Sequence, residues 1–172
     1  MPIEKKHDIL LKSLLEFYKK DKNMNLLAQC VLKKCKISLR IIDYLCTNYA
    51  KNECVLYYLQ PKDKSPFNLY LQYRSQLKAY SKMQFDPFRR HNRISIVCKH
   101  TENKKLETTV AQLNFFKWAI ENKVLEYLDS DTNRKKIENH MLNNQENNSK
   151  KNVKDLSGKT KRHNIQVTVT FK

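Results

Sequence analysis

The spacing of apolar residues predicts three helices in the first fifty residues. Asp8 is placed to cap the first helix, which is predicted to run to about Lys20. A short break follows, and a second helix is predicted over about Asn25–Lys34. Ser38 is predicted to cap the third helix, because a serine side chain can accept a hydrogen bond from a free N–H group of the first turn.

The middle of the chain is predicted to place one helix between two strands. The run Glu53–Leu59 is short, apolar and rich in aromatic residues, which is typical of a buried strand. Ser65 and Pro66 are suited to the N-cap and first position of a helix that is predicted to reach about Lys82. The period-two alternation of Arg93–Lys99 predicts the second strand.

The most apolar helix is predicted over Val110–Glu121. The pattern Thr109-x-x-Gln112 directly before the apolar run is a capping-box signature. The following run Val124–Leu128 favours a short strand over a helical turn, and a polar helix is predicted over about Asp131–Asn143.

These elements predict an α+β protein, a mostly helical single domain packed on a small sheet. The winged-helix arrangement is one candidate topology. The predicted sheet contains Glu53–Leu59, Arg93–Lys99 and Ile165–Phe171, the last of which alternates cleanly between apolar and polar residues. The predicted organisation is N-terminal helices at 1–36, a core α+β domain at 37–143, a flexible basic linker at 144–164 and a C-terminal strand returning to the core sheet at 165–172.

The charge of the chain indicates a polyanionic partner. The 172 residues carry 34 Lys+Arg against 17 Asp+Glu, a formal net charge of +17. Residues 61–100 alone hold nine basic against two acidic side chains. Self-repulsion of this size destabilises a compact fold, and a bound polyanion relieves it. Nucleic acid is the first expectation, with DNA favoured over RNA. No membrane partner is predicted, since no apolar run approaches the ~18 residues of a membrane span.

Two counts restrict the chemistry that the sequence can support. Gly158 is the single glycine, and a P-loop or a dinucleotide-binding fingerprint needs several. The five cysteines have an odd number and irregular spacing, which is typical of reduced, mostly buried thiols. We therefore predict no cofactor, no metal site and no catalytic residues. Asp86 is disfavoured as a catalytic carboxylate because residues 61–100 offer only Asp63 beside it.

Six cations are predicted to form an anion-binding surface. Three recur every fourth residue along the predicted helix and repel one another unless an anion lies along them. The other three follow an Asp-Pro break and offer bidentate guanidinium groups. These residues are Arg74, Lys78, Lys82, Arg89, Arg90 and Arg93. The alternative is a solvated face in which Asp86 pairs with one arginine. Lys161 and Arg162 are added from a basic stretch of the tail, which is equally typical of a solubilising linker.

The aromatic residues near these cations are interpreted as structural. Tyr70, Tyr73 and Tyr80 can stack on unpaired bases, but tyrosines at helical spacing more often belong to a core. Phe85 and Phe88, on either side of an Asp-Pro turn, are predicted to anchor this loop on the core and to aim the following arginines.

Four segments of the chain are long enough to compare with known families. They are ISLRIIDYLCTNYAK, LKAYSKMQFDPFRR, LETTVAQLNFFKWAIENKVLEYL and HNIQVTVTF. In these segments the chain resembles an uncharacterised family of short basic proteins from mimivirus-like and related nucleocytoplasmic large DNA viruses. The resemblance covers about Ile37–Phe171 and implies no assigned activity.

Together these observations predict a non-catalytic nucleic-acid-binding protein in viral genome replication, transcription or packaging. The alternative is a structural or interaction protein of the virion or viral factory that neutralises DNA charge or docks an acidic partner, and a small nuclease is a weaker third. Self-association and protein partners stay open. The expected location is the host cytoplasm or the virion, with the host nucleus as an alternative.

Overall fold

The computed structural model describes the backbone of residues 3–102 and 104–157, and the side chains of 8–102 and 104–145. The elements in chain order are α1 (Ile3–Tyr18), α2 (Asp21–Val31), α3 (Leu39–Tyr44), a π-helical turn (Leu45–Tyr49), α4 (Ala50–Asn52), β1 (Leu56–Tyr57), β2 (Phe67–Asn68), α5 (Leu69–Ala79), β3 (Arg93–Val97), β4 (Lys105–Thr109), α6 (Val110–Glu121), α7 (Val124–Asp129) and α8 (Asp131–Ser157). This architecture confirms the predicted α+β class with one mostly helical domain.

Helix α6 lies at the centre of the core, where Leu113 and Phe115 are fully buried. Because a helix that is apolar on all sides must be covered on all sides, the helices α1, α2 and α7 pack around it. The Tyr18 hydroxyl of α1 donates a hydrogen bond of 2.8 Å to the Leu113 carbonyl. Leu14 and Leu27 are also fully buried. The first two helices therefore share one core with the rest of the described chain.

The local signals at two helix starts are confirmed. The Ser38 hydroxyl accepts a hydrogen bond of 3.2 Å from the Ile41 N–H. The Thr109 hydroxyl accepts one of 3.2 Å from the Gln112 N–H, and α6 has the predicted bounds. Lys123, with a φ of 54°, adopts the left-handed conformation that ends a helix.

Helix α5 begins later than Ser65 and Pro66 predict. The Asn68 side chain caps it by accepting a hydrogen bond of 3.0 Å from the Leu71 N–H. Before Asn68 the chain stays extended, because β2 pairs antiparallel with β1. This pairing brings the Phe67 and Tyr57 ring centroids to 5.3 Å. The cross-strand contact thus overrides the local helix-start signal.

The predicted three-stranded sheet is wrong, because β1 and β3 belong to separate two-stranded sheets. Only two residues of the predicted strand Glu53–Leu59 are in a strand, and one of them, Leu56, is 50% exposed. The third predicted strand, Ile165–Phe171, lies outside the described residues. The winged-helix arrangement stays a prediction.

Strand β3 lies where its alternation predicts and pairs antiparallel with β4, which the sequence analysis missed. Two of the outward residues of β4, Lys105 and Glu107, are charged and exposed, whereas Leu106 and Thr108 face the core. A strand with one apolar residue on its buried face gives too weak a pattern to be recognised without its partner.

Three helices differ in extent or type from the prediction. Helix α1 begins at Ile3, ahead of the predicted cap Asp8, and α2 begins at Asp21, where a break was predicted. The run Val124–Leu128 is helical rather than extended, because the left-handed residue before it redirects the chain so that an apolar helical face packs on α6.

Helix α8 runs past its predicted end at Asn143 and continues to Ser157. The first part of the stretch predicted as a linker is therefore helical, and residues 158–172 lie outside the described residues. The Tyr44 hydroxyl lies 2.9 Å from His140 Nδ1 and accepts a hydrogen bond of 2.7 Å from Asn144. These contacts fix α8 against α3.

All five cysteines are unpaired, and Cys54 is the most exposed of them. Burial and the neighbouring Cys35 thiol raise the pKa of Cys30 to about 12, so its thiol stays protonated at neutral pH.

Because the thiolate is the reactive form, we expect a thiol reagent in excess at pH 7.5 to modify Cys54 first. Peptide mass spectrometry over time measures the order, and Cys54→Ser should remove the fast phase. Equally fast modification of the fully buried Cys46 would contradict this packing.

Candidate nucleic-acid interface

The predicted row of cations along one helix is incomplete in the structure. Arg74 and Lys78 lie on exposed positions of α5. The helix ends at Ala79, however, and Lys82 lies beyond it in a turn closed by a hydrogen bond between the Phe85 N–H and the Ser81 carbonyl. The i, i+4, i+8 spacing therefore holds for two cations only.

Two phenylalanines were predicted to anchor the Asp-Pro turn on the core, and only one of them does so. Phe85 is 2% exposed and lies in the core, as expected, whereas Phe88 is 44% exposed and does not anchor the loop. The Asp86 carboxylate accepts a hydrogen bond of 2.9 Å from the Phe88 N–H. The Arg89 N–H donates to the Asp86 carbonyl at 3.3 Å. Asp86 thus shapes the turn.

Helix α6 holds this turn through two side-chain amides. The Gln112 amide donates a hydrogen bond of 2.8 Å to the Pro87 carbonyl. The buried Asn114 amide donates one of 2.9 Å to the Gln84 carbonyl. The predicted capping box explains only the backbone role of Gln112, since its side chain reaches across to the turn. The central helix of the core therefore holds the turn that leads into the arginines.

The structure brings Arg89, Arg90 and Arg93 to one cavity of about 200 Å³, which we call the arginine cavity. Its other lining residues are Val31, Leu39, Phe88, Glu107, Thr108 and Gln112. They come from α2, α3, the turn, β4 and α6, so the cavity forms only in the folded chain. Arg74, Lys78 and Lys82 do not line it. The six predicted cations thus divide into a convergent cluster and a separate exposed set.

The lining of the arginine cavity includes one carboxylate, that of Glu107. Arg93 pairs with Glu107 at 3.3 Å, and these side chains are 59% and 71% exposed. Such an exposed ion pair is worth at most about 1 kcal/mol, so an incoming phosphate can compete with it. The alternative in which Asp86 pairs with an arginine is not the arrangement that forms here, since its described bonds are to the turn. Three cations against one carboxylate leave the arginine cavity positive.

Asp43 lies near Asp86 in the folded chain. The sequence did not indicate this proximity, because the two residues are distant in the chain. Burial raises the pKa of Asp43, and the nearby charge of Asp86 raises it further. Burial also raises the pKa of Tyr73, with a further contribution from Asp43.

Within the described residues, no group of three or more His, Cys, Asp or Glu side chains is arranged to hold a metal ion.

The tyrosines of α5 and Tyr80, which directly follows this helix, have partners inside the protein, as the structural interpretation predicts. Tyr73 is 6% exposed, and its ring centroid lies 5.7 Å from that of Trp118. Tyr80 stacks on Phe85 with centroids 6.1 Å apart. The Arg74 guanidinium carbon lies 5.9 Å from the centre of the Tyr70 ring. The exposed aromatic residue beside the arginines is Phe88.

Two further predictions concern the tail and membranes. Lys161 and Arg162 lie outside the described residues. Among the helices that the structure describes, none combines the length and the apolar character needed to cross a membrane.

Comparisons with known proteins identify relatives without a known activity. The model of a family of unknown function, DUF7197, matches residues 3–170, a range that includes the first two helices and all of the segments quoted above except Phe171. An uncharacterized protein of Acanthamoeba polyphaga mimivirus is 35% identical over 97 residues, which cover 54% of this chain and 38% of that relative. The chain thus spans well under half the length of this relative. No solved structure matches the chain.

Proposed function

This chain belongs to a viral family of unknown function, DUF7197, and we propose that it is a non-catalytic protein that binds nucleic acid, DNA in preference to RNA. The observation that carries the proposal is the convergence of Arg89, Arg90 and Arg93 on one cavity of a chain with a formal charge of +17. Arginine is suited to this task because its planar guanidinium group can donate two parallel hydrogen bonds to one phosphate.

Two properties of the arginine cavity support binding of phosphate. Hydrogen bonds from Gln112 and Asn114 hold the turn that leads into the arginines, so the backbone of this turn needs little further ordering when an anion binds. Thr108 and Gln112 add polar groups to the lining. Arg74 and Lys78 add exposed positive charge on α5, which attracts a polyanion at long range. We place them in the same interface as weaker, non-convergent contacts.

The salt dependence of binding tests this function. We expect the full chain to bind fluorescently labelled single-stranded and duplex DNA at 50 mM salt, and to lose affinity linearly in a plot of log affinity against log salt. Three phosphate contacts alone give a slope of about −2 for a single strand and about −3 for a duplex. The weaker contacts should make the measured slope steeper. Fluorescence anisotropy between 50 and 300 mM salt measures it, with RNA of the same sequence as the comparison.

The outcomes separate the alternatives. Undetectable binding at 50 mM salt to every nucleic acid would refute the proposed function. Binding accompanied by Mg²⁺-dependent cleavage would favour a nuclease instead, and the Asp43 and Asp86 carboxylates would be the first residues to replace. Abundance in purified virions would favour a structural protein of the particle.

A further inference from the structure

A second, larger cavity adjoins the arginine cavity. It has a volume of about 450 Å³, and the two share Val31, Leu39, Phe88, Arg90 and Gln112. Beyond the shared residues, the larger cavity is lined by apolar side chains such as Ile37 and Phe116 and by the cations Lys33, Lys36 and Arg40. The combined site therefore has a small cationic part and a larger apolar part, with further cations on its lining.

Phe88 lies where the two parts meet, and the peptide bond that precedes it is held although its ring is 44% exposed. The Phe88 N–H donates to the Asp86 carboxylate, and the Pro87 carbonyl of the same peptide bond accepts from the Gln112 amide. An exposed phenylalanine on a surface is common, but this one lies beside three arginines on a held peptide bond and offers an aromatic face for a planar ligand.

The chemistry of the two parts matches the two ends of a nucleotide. A phosphate needs bidentate cationic donors and little volume, which the arginine cavity provides. A base needs an aromatic face and an apolar surrounding, which Phe88 and the larger cavity provide. Ligand sites in proteins commonly have about 300–1,000 Å³, so the two parts together have a suitable size.

We propose that the two cavities together hold one unpaired nucleotide of a nucleic-acid strand, with its phosphate on Arg89, Arg90 and Arg93 and its base on Phe88. This inference rests on the proposed function and adds a strand preference to it. A duplex keeps its bases paired and stacked, so it can present phosphates to the arginines but cannot place a base on Phe88.

The test compares Phe88→Ala and Phe88→Trp with the native full chain and with Tyr58→Ala, which removes another exposed aromatic ring from outside the two cavities. The ligands are a labelled oligothymidine, a duplex with the same number of phosphates and an abasic strand of equal length. We expect Phe88→Ala to weaken oligothymidine binding roughly 10- to 100-fold, because base stacking on an aromatic side chain contributes that much. Duplex and abasic binding should change less than about twofold, since those ligands place no base on Phe88.

Phe88→Trp should retain oligothymidine binding, and the fluorescence of the new indole should fall when the strand binds, whereas the buried Trp118 contributes a constant background. Equal losses on abasic and oligothymidine strands, or no loss on either, would overturn the nucleotide site while leaving the proposed function intact. Absence of binding to all three ligands would overturn both.

Discussion

Replacing Arg89, Arg90 and Arg93 together with alanine is expected to weaken binding of single-stranded and duplex DNA about 100- to 1,000-fold at 100 mM salt. A hydrogen bond from a charged donor contributes about 1.5–3 kcal/mol, and three neighbouring contacts are not additive, so we expect a combined loss of about 3–4 kcal/mol. The slope of log affinity against log salt should become shallower by about 2–3. Fluorescence anisotropy with the full chain measures both quantities.

The matched control for this loss is a variant with the same change in net charge. Lys51, Lys62 and Lys64 are exposed and do not line the arginine cavity. Their combined replacement with alanine should weaken binding less than about tenfold, because it removes only long-range attraction. If both triple variants lose affinity equally, total charge rather than the arginine cavity determines binding.

A third variant separates charge from geometry. Lysine at positions 89, 90 and 93 keeps the charge but loses the bidentate guanidinium groups, so it should recover the salt slope and only part of the affinity. The stability of the alanine variant should lie within about 1 kcal/mol of the native chain, since Arg90 and Arg93 are exposed and the Arg93–Glu107 pair is a surface contact. Loss of folding in that variant would instead make the cluster structural.

The parts of the fold that the sequence predicted well are those set by neighbouring residues. Ser38 and Thr109 cap helices because the free N–H groups lie three residues further along the same chain. The alternation of β3 and the apolar run of α6 are likewise local patterns. The clustering of Arg89, Arg90 and Arg93 followed from their closeness in sequence, and the structure adds the cavity that they share.

The parts that the sequence could not predict depend on contacts between distant segments. Strand β4 becomes recognisable only through its pairing with β3, and Asn68 replaces Ser65 as a cap because β2 pairs with β1. Asp43 comes near Asp86 only after the core has formed. Phe88 was expected in the core on the basis of its residue type, and its exposure follows from the turn that Asp86 and Gln112 impose.

Phe85 connects the core to the arginine cavity, and its role differs from that of Phe88 three residues later. The Phe85 ring is 2% exposed and meets four aromatic neighbours, with centroid distances of 5.5–6.1 Å. The chain then passes from this buried ring directly into the turn that carries the arginines. Packing of the core at Phe85 therefore determines where the turn begins.

We expect Phe85→Ala to lower the free energy of unfolding by about 3–5 kcal/mol, because it removes a fully buried aromatic ring and leaves a cavity among its neighbours. Small domains have a total stability of about 5–15 kcal/mol, so this loss removes a large share of it and should lower the urea midpoint clearly. Urea denaturation followed by circular dichroism measures the loss. Phe85→Leu, which keeps much of the volume, should lose less than half as much.

The comparison with Phe88→Ala makes this prediction specific to position. Removal of the exposed ring should change the free energy of unfolding by less than about 1 kcal/mol and act on strand binding, whereas removal of the buried ring should act on stability. Folded Phe85→Ala should bind duplex DNA less tightly than the native chain only if its turn is less well held. Saturating DNA should raise the unfolding midpoint of this variant. If Phe85→Ala unfolds at the same urea concentration as the native chain, the ring cluster does not support the turn. The arginine cavity would then have to be held by Gln112 and Asn114 alone.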